Sequence, residues 1–130
     1  MQALEALNMY LLVDIPSQHI CVDRKAPAYS VDVLAYFKAK VDAFVDFPNT
    51  LAFLIGNEID NAPGNVTQAA AYVKAQLRDI RRYIKSRPRQ VPVGYAAVDD
   101  DKIRLLSAQY FHCGGPDSQA RTKECRTYLF

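Results

Sequence analysis

The sequence is short of most features that would assign a function quickly. It lacks a charge of one sign: 16 lysines and arginines against 14 aspartates and glutamates leave a net charge of only +2. That is not the basic footprint of a nucleic-acid binder. The densest cationic stretch is Arg78, Arg81, Arg82, Lys85, Arg87 and Arg89, with Asp79 among them. It lies along one predicted helix and its exit, the pattern of a solvated face with cations near the negative helix end. No apolar run approaches the ~20 residues that cross a bilayer. Nor is there a secretory leader, since Met1 opens straight into Gln2-Ala3-Leu4-Glu5-Ala6-Leu7, which reads as the end of a helix. The chain as it stands is therefore expected to stay in the cytosol.

Cysteine is scarce and odd in number: Cys21, Cys113 and Cys125. None has CxxC spacing, which argues against a zinc site and leaves free thiols or remnants of a larger disulfide set. No Gly-rich phosphate loop follows any apolar run, which weighs against a nucleotide. His19 and His112 stand far apart, with no Ser or Cys at a recognisable elbow, so no nucleophilic triad is supported. Asp99-Asp100-Asp101 reads as a solvated helix cap rather than a metal site. Repeats and low-complexity segments are absent.

What the sequence does have is alternation. With 130 residues, 50% of them hydrophobic, it fits one modest domain. Met9 to Ile15 is an apolar run with an acid, Asp14, next to its end, as in a strand buried on both faces of a parallel sheet. Ser30 can cap a helix running to about Asp46, with Val33, Phe37, Val41 and Phe44 on one face. Leu51-Ala52-Phe53-Leu54-Ile55 is a second buried strand, stopping at Gly56-Asn57-Glu58. Thr67 opens a helix to about Ser86, with a stripe of Val73, Leu77, Ile80 and Ile84. Val91-Pro92-Val93-Gly94-Tyr95 is a short third strand, with Pro92 placed near its start. Asp99 or Asp100 then caps a last helix holding Ile103, Leu106 and Tyr110. Strand and helix alternating three times predict an α/β fold with a parallel sheet and crossover helices. Three such units are about three-eighths of a (β/α)8 TIM barrel; a small open doubly wound sheet is the alternative.

In such sheets the working residues gather at the carboxyl ends of the strands. Those positions read Asp14, Asn57-Glu58 and Tyr95. A charge directly after an apolar strand is costly, so Glu58 is either paired with a cation or held for proton transfer. An amide such as Asn57 can donate to one ligand hydroxyl and accept from another group. Each residue alone also has a plainer reading: Glu58 as a loop or cap residue, Asp14 bonded to loop amides, Tyr95 as core.

The longer strings decide between these. Leu51-Ala52-Phe53-Leu54-Ile55-Gly56-Asn57-Glu58, Tyr72-Val73-Lys74-Ala75, Arg78-Asp79-Ile80, Tyr83-Ile84 and Val91-Pro92-Val93-Gly94-Tyr95 resemble the fungal β-1,3-glucanosyltransferases of glycoside hydrolase family 72. Asp99-Asp100, Arg104, Ala108, Tyr110 and Cys113-Gly114 continue the match, and Tyr10-Leu11-Leu12-Val13-Asp14 resembles the preceding strand. The resemblance runs from Met1 to about Gly114, giving a partial barrel over 1–114 and an irregular tail over 115–130. It implies a retaining double displacement on β-1,3-glucan, with no cofactor and no metal. Glu58 matches the acid/base and Asn57 its sugar-contacting neighbour; Asp14 and Tyr95 match residues lining the cleft. Family members are secreted and held at the plasma membrane or cell wall by a lipid (GPI) anchor at the C-terminus.

The sequence also departs from the family. A retaining enzyme needs a second carboxylate, the nucleophile, about 5–5.5 Å from the first. The family carries it in a later Ser-Glu-Phe-Gly-like string, and here the only later glutamate is Glu124. The first two strands are also missing, and Arg121-Thr122-Lys123-Glu124 faintly resembles a segment after the family's sixth strand. Cys113 resembles a disulfide cysteine whose partner lies outside the chain. These gaps read as truncation, which accounts for the missing leader and anchor. The expectation is a fragment of a glucanosyltransferase barrel, inactive alone. The alternatives are a retaining endo-β-glucanase of the same clan and a non-catalytic carbohydrate-binding remnant. In each, strands near 9–14, 51–56 and 91–95 should be parallel and adjacent in that order, with Asp14, Asn57, Glu58 and Tyr95 on one edge.

Overall fold

The computed structural model describes residues 1–17, 19–59, 66–111 and 128–129. A short helix, α1 (Gln2–Ala6), ends near Asn8, which holds φ 55; asparagine tolerates that left-handed conformation better than most residues. Strand β1 (Leu11–Asp14) follows, then α2 (Val31–Phe44), β2 (Thr50–Asn57), α3 (Val66–Lys85), β3 (Val93–Ala96) and α4 (Asp101–Phe111). A two-residue strand β4 (Tyr128–Leu129) completes the described elements. All pairings are parallel and the strand order is β1-β2-β3-β4. The three expected strands are therefore adjacent in the expected order. β4 is a correction, because it lies in the segment expected to be an irregular tail; Cys113, Glu124 and Cys125 fall outside the described residues.

Local chemistry explains the helix starts. Ser30 Oγ accepts from Val33 N at 3.3 Å, capping α2. Asp100 Oδ1 accepts from Lys102 N at 2.9 Å and Ile103 N at 3.2 Å, capping α4. Pro92 sits one residue before β3, and its carbonyl accepts from Phe53 N at 3.0 Å. The ring costs the sheet no donor there.

The core lies between one face of the sheet and two helices. Val13, Ile15, Phe53, Ile55, Val93 and Tyr95 meet Phe37 and Val41 of α2 and Val73, Leu77, Ile80 and Ile84 of α3. The α3 stripe read from the sequence is buried in full; of the α2 stripe Phe37 and Val41 are buried, while Val33 and Phe44 are partly buried at its ends. On α4 the buried residues are Ser107 and Phe111, while Leu106 is 64% exposed. On the other sheet face Leu12 is 45% exposed and Asp14 is exposed, so β1 is buried on one face rather than two.

The cationic stretch is more structural than its composition indicates. Arg89 donates to the carbonyls of Val45 (2.7 Å), Pro48 (3.2 Å) and Thr50 (2.9 Å), fastening the turn between α2 and β2. Arg81 donates to Val93 O at 3.3 Å, and Arg87 pairs with Asp42 and the Tyr83 hydroxyl.

Candidate active site

Parallel pairing puts the carboxyl ends of β1, β2 and β3 on one edge of the sheet, so Asp14, Asn57 and Glu58 share that edge. Asp14 is exposed and lies on the open face, because its neighbours Val13 and Ile15 are in the core. Lys40 of α2 reaches under this strand end and donates to the carbonyls of Asp14 and Ile15, both at 3.0 Å. Partial desolvation raises the pKa of Asp14 above its ordinary value, and the nearby Lys40 charge opposes part of that rise.

At the end of β2 the register slips. Leu54 pairs with Gly94, but the next pair is Asn57 with Ala96, three residues of one strand against two of the other. Ile55 faces the helices, and plain alternation would send Asn57 the same way. The extra residue cancels that alternation and aligns Asn57 with Ala96, the neighbour of the helix-facing Tyr95. Asn57 is accordingly exposed. Gly56 makes the slip possible: its φ is +84, and a Cβ there would stand 3.1 Å from Val73 Cγ1 and 3.4 Å from Tyr95 Cε2.

Glu58 follows at φ 45, a left-handed conformation rare for a residue with a long side chain. Its backbone is tied on both sides. Its N–H donates to Ala96 O at 2.9 Å, and its carbonyl accepts from Arg24 Nη2 at 2.7 Å. The next amide, that of Ile59, donates to the Tyr95 hydroxyl at 2.7 Å. A residue in this region carries on the order of 1–3 kcal/mol of strain, which persists where the surroundings over-determine it. The half-buried Glu58 stands next to an exposed amide and on the same edge as an exposed carboxylate. That set can exchange a proton with a ligand oxygen and hydrogen-bond neutral hydroxyls.

Tyr95 is a correction. It stands at a strand exit as expected, but its side chain is 0% exposed and does not line the open surface. Strand alternation turns it toward the helices, where its ring packs on Phe111 with centroids 4.3 Å apart. Arg24 and Lys40 were not singled out from the sequence as site residues. The usable signal for Arg24 was its place in the loop after β1, the kind of strand-to-helix loop that builds sites in these folds. Among the described residues no group of acids, histidines and cysteines could hold a metal ion.

The family model described as glucanosyltransferase, glycoside hydrolase family 72, matches residues 1–128. The 1,3-beta-glucanosyltransferase gel1 of Aspergillus fumigatus is 45% identical over 123 residues, 92% of this chain and 27% of the relative. The 1,3-beta-glucanosyltransferase GAS5 of Saccharomyces cerevisiae is 43% identical over 117 residues, 88% of this chain and 24% of the relative. Among solved structures, S. cerevisiae Gas2p in complex with laminaripentaose superimposes with a TM-score of 0.80 at 38% identity. That match covers 87% of this chain and 26% of Gas2p. The parallel strands and helices are those of a partial (β/α)8 barrel. The chain spans about a quarter of the length of these relatives.

Proposed function

We propose, from the premise that the chain belongs to the glucanosyltransferase family, that it carries the acid/base part of an enzyme that cleaves and elongates β-1,3-glucan. The observation that carries this reading is Glu58, a strained glutamate tied by its backbone at the exit of a parallel strand. In a retaining double displacement a carboxylate outside these 130 residues attacks the anomeric carbon. As the C–O bond breaks, Glu58 gives its proton to the leaving oxygen. It then takes the proton of the incoming sugar hydroxyl, which displaces the enzyme carboxylate. Asn57 and Asp14 hold sugar hydroxyls on the open face. Gas2p has been crystallised with laminaripentaose, and separately with laminaritriose and laminaritetraose. Oligosaccharides of that kind are the ligand proposed here. We further propose that the whole enzyme acts at the fungal cell surface, held there by a lipid anchor.

Both catalytic halves are needed together, so loss of one carboxylate removes several powers of ten in rate. The 130-residue chain alone is expected not to elongate laminari-oligosaccharides. Inserted in place of the matching part of Gas2p, the segment should support elongation, and Glu58→Gln in that barrel should bind the sugar and make no longer products. Chromatography of the products decides it. Longer oligosaccharides from the bare chain, or from the Glu58→Gln barrel, would place the chemistry elsewhere.

A further inference from the structure

We infer that Arg24 and Tyr95 are positioning residues that fix the direction of the Glu58 side chain. The inference rests on the acid/base reading of Glu58 and deepens it. A left-handed φ decides where the Cα–Cβ bond points, and a relaxed backbone at Glu58 would swing its carboxyl away from the leaving oxygen. Nothing in the residue's own preference holds φ at 45. Three bonds to its flanking peptide groups do. One is an ordinary strand bond, Glu58 N to Ala96 O at 2.9 Å. The other two come from side chains distant in sequence.

Arg24, in the loop after β1, donates through Nη2 to the Glu58 carbonyl at 2.7 Å. Tyr95, on β3, accepts at its hydroxyl from the Ile59 amide at 2.7 Å. The second bond is buried: Tyr95 is 0% and Ile59 6% exposed. Water cannot replace a lost acceptor there, so the peptide following Glu58 is locked to the sheet. The Tyr95 ring also limits the space at Gly56, two residues before Glu58. Side chains from β3 and from the loop after β1 therefore grip the peptide that follows the β2 glutamate.

The test uses the completed barrel, with variants Tyr95→Phe, Arg24→Met and Arg24→Lys and two donors. With laminari-oligosaccharide, Tyr95→Phe and Arg24→Met should lower kcat by about tenfold to a hundredfold, as small misplacements do. KM should stay within about twofold, because ground-state binding is untouched. Arg24→Lys, which keeps a cationic donor, should recover part of the loss. The second donor is 2,4-dinitrophenyl β-laminaribioside with added azide. Its phenolate leaves without a proton, and azide then displaces the enzyme carboxylate as the glycosyl azide without a base. On that pair both variants should return to within about threefold of the parent, since neither step uses acid/base help.

Glu58→Ala is the control for the underlying reading. If azide does not rescue Glu58→Ala, Glu58 is not the acid/base and the proposed function itself fails. If Glu58→Ala is rescued while Tyr95→Phe and Arg24→Met lose rate equally on both donors, their role is structural and the inference is overturned. Full rate on glucan in both variants overturns it as well.

Discussion

At the scale of single residues, Glu58 carries a conformational cost and Asp14 an electrostatic one. Glu58 stands at φ 45, where glycine is at ease and a long side chain is not. Glu58→Gly should therefore raise the stability of the fold by about 1 kcal/mol, as removal of a left-handed side chain does. The same change removes the carboxyl that the mechanism needs, so stability and activity should move in opposite directions. Urea unfolding reads the first; a lowered midpoint would mean that the position is not strained.

Asp14 has a raised pKa, caused by partial desolvation and opposed by Lys40. Its carboxylate is thus less comfortable folded than unfolded. The cost is present in full above the raised folded pKa and disappears as pH falls below the unfolded value of 3.8. Asp14→Asn should stabilise the chain at about pH 7 and give no gain at about pH 3. Equal effects at both pH values would remove desolvation as the cause.

At the scale of elements, the amphipathic helices and the fasteners between them set the shape. The α3 stripe is almost fully enclosed, with Val73 and Ile80 at 0% exposure. Its spacing of three and four residues faces the sheet throughout, which is why the helix was legible. The arginines that follow differ in kind although they look alike in sequence. Arg89 bonds three carbonyls around the α2–β2 turn, whereas Arg82 is exposed. Arg89→Ala should cost about 2–3 kcal/mol, the scale of charge-assisted bonds to backbone. Arg82→Ala should stay within about 0.5 kcal/mol. Chemical denaturation of both variants separates them, and similar losses would contradict the fastening role.

At the scale of the whole molecule, half of the sheet's business is unfinished. One face is packed by α2 and α3, while the other leaves Leu12 45% exposed. Among the described strands β1 stands at one end, and its flank carries Met9 at 49% and Tyr10 at 67% exposure. In a closed barrel that inner face is filled by layers of side chains from all strands, and open edges invite pairing with other chains. The isolated chain should therefore unfold broadly and associate as its concentration rises. Thermal unfolding followed by circular dichroism at several concentrations reads both. A sharp, concentration-independent transition at an ordinary mesophile temperature would show that the arc is self-sufficient.

The sequence by itself determined the order of elements from β1 to α4, the buried stripe of α3 with Phe37 and Val41 of α2, and the strand exits at Asp14 and Asn57-Glu58. These depend on local periodicity and on where apolar runs stop, and local physics fixes both. It also carried the family, through strings of residues whose spacing a barrel segment preserves. Tertiary structure decided the rest. The slip at Gly56 that puts Asn57 with Ala96 is a matter of register between two strands, and no single strand encodes it. The burial of Tyr95 follows from which side of β3 the helices cover. The grip of Arg24 and Tyr95 on the peptide after Glu58 joins residues 34 and 36 positions apart, contacts that exist only once the sheet has formed. A strained glutamate can be written into a chain at any point; only the neighbours that hold its backbone make it a fixed direction in space.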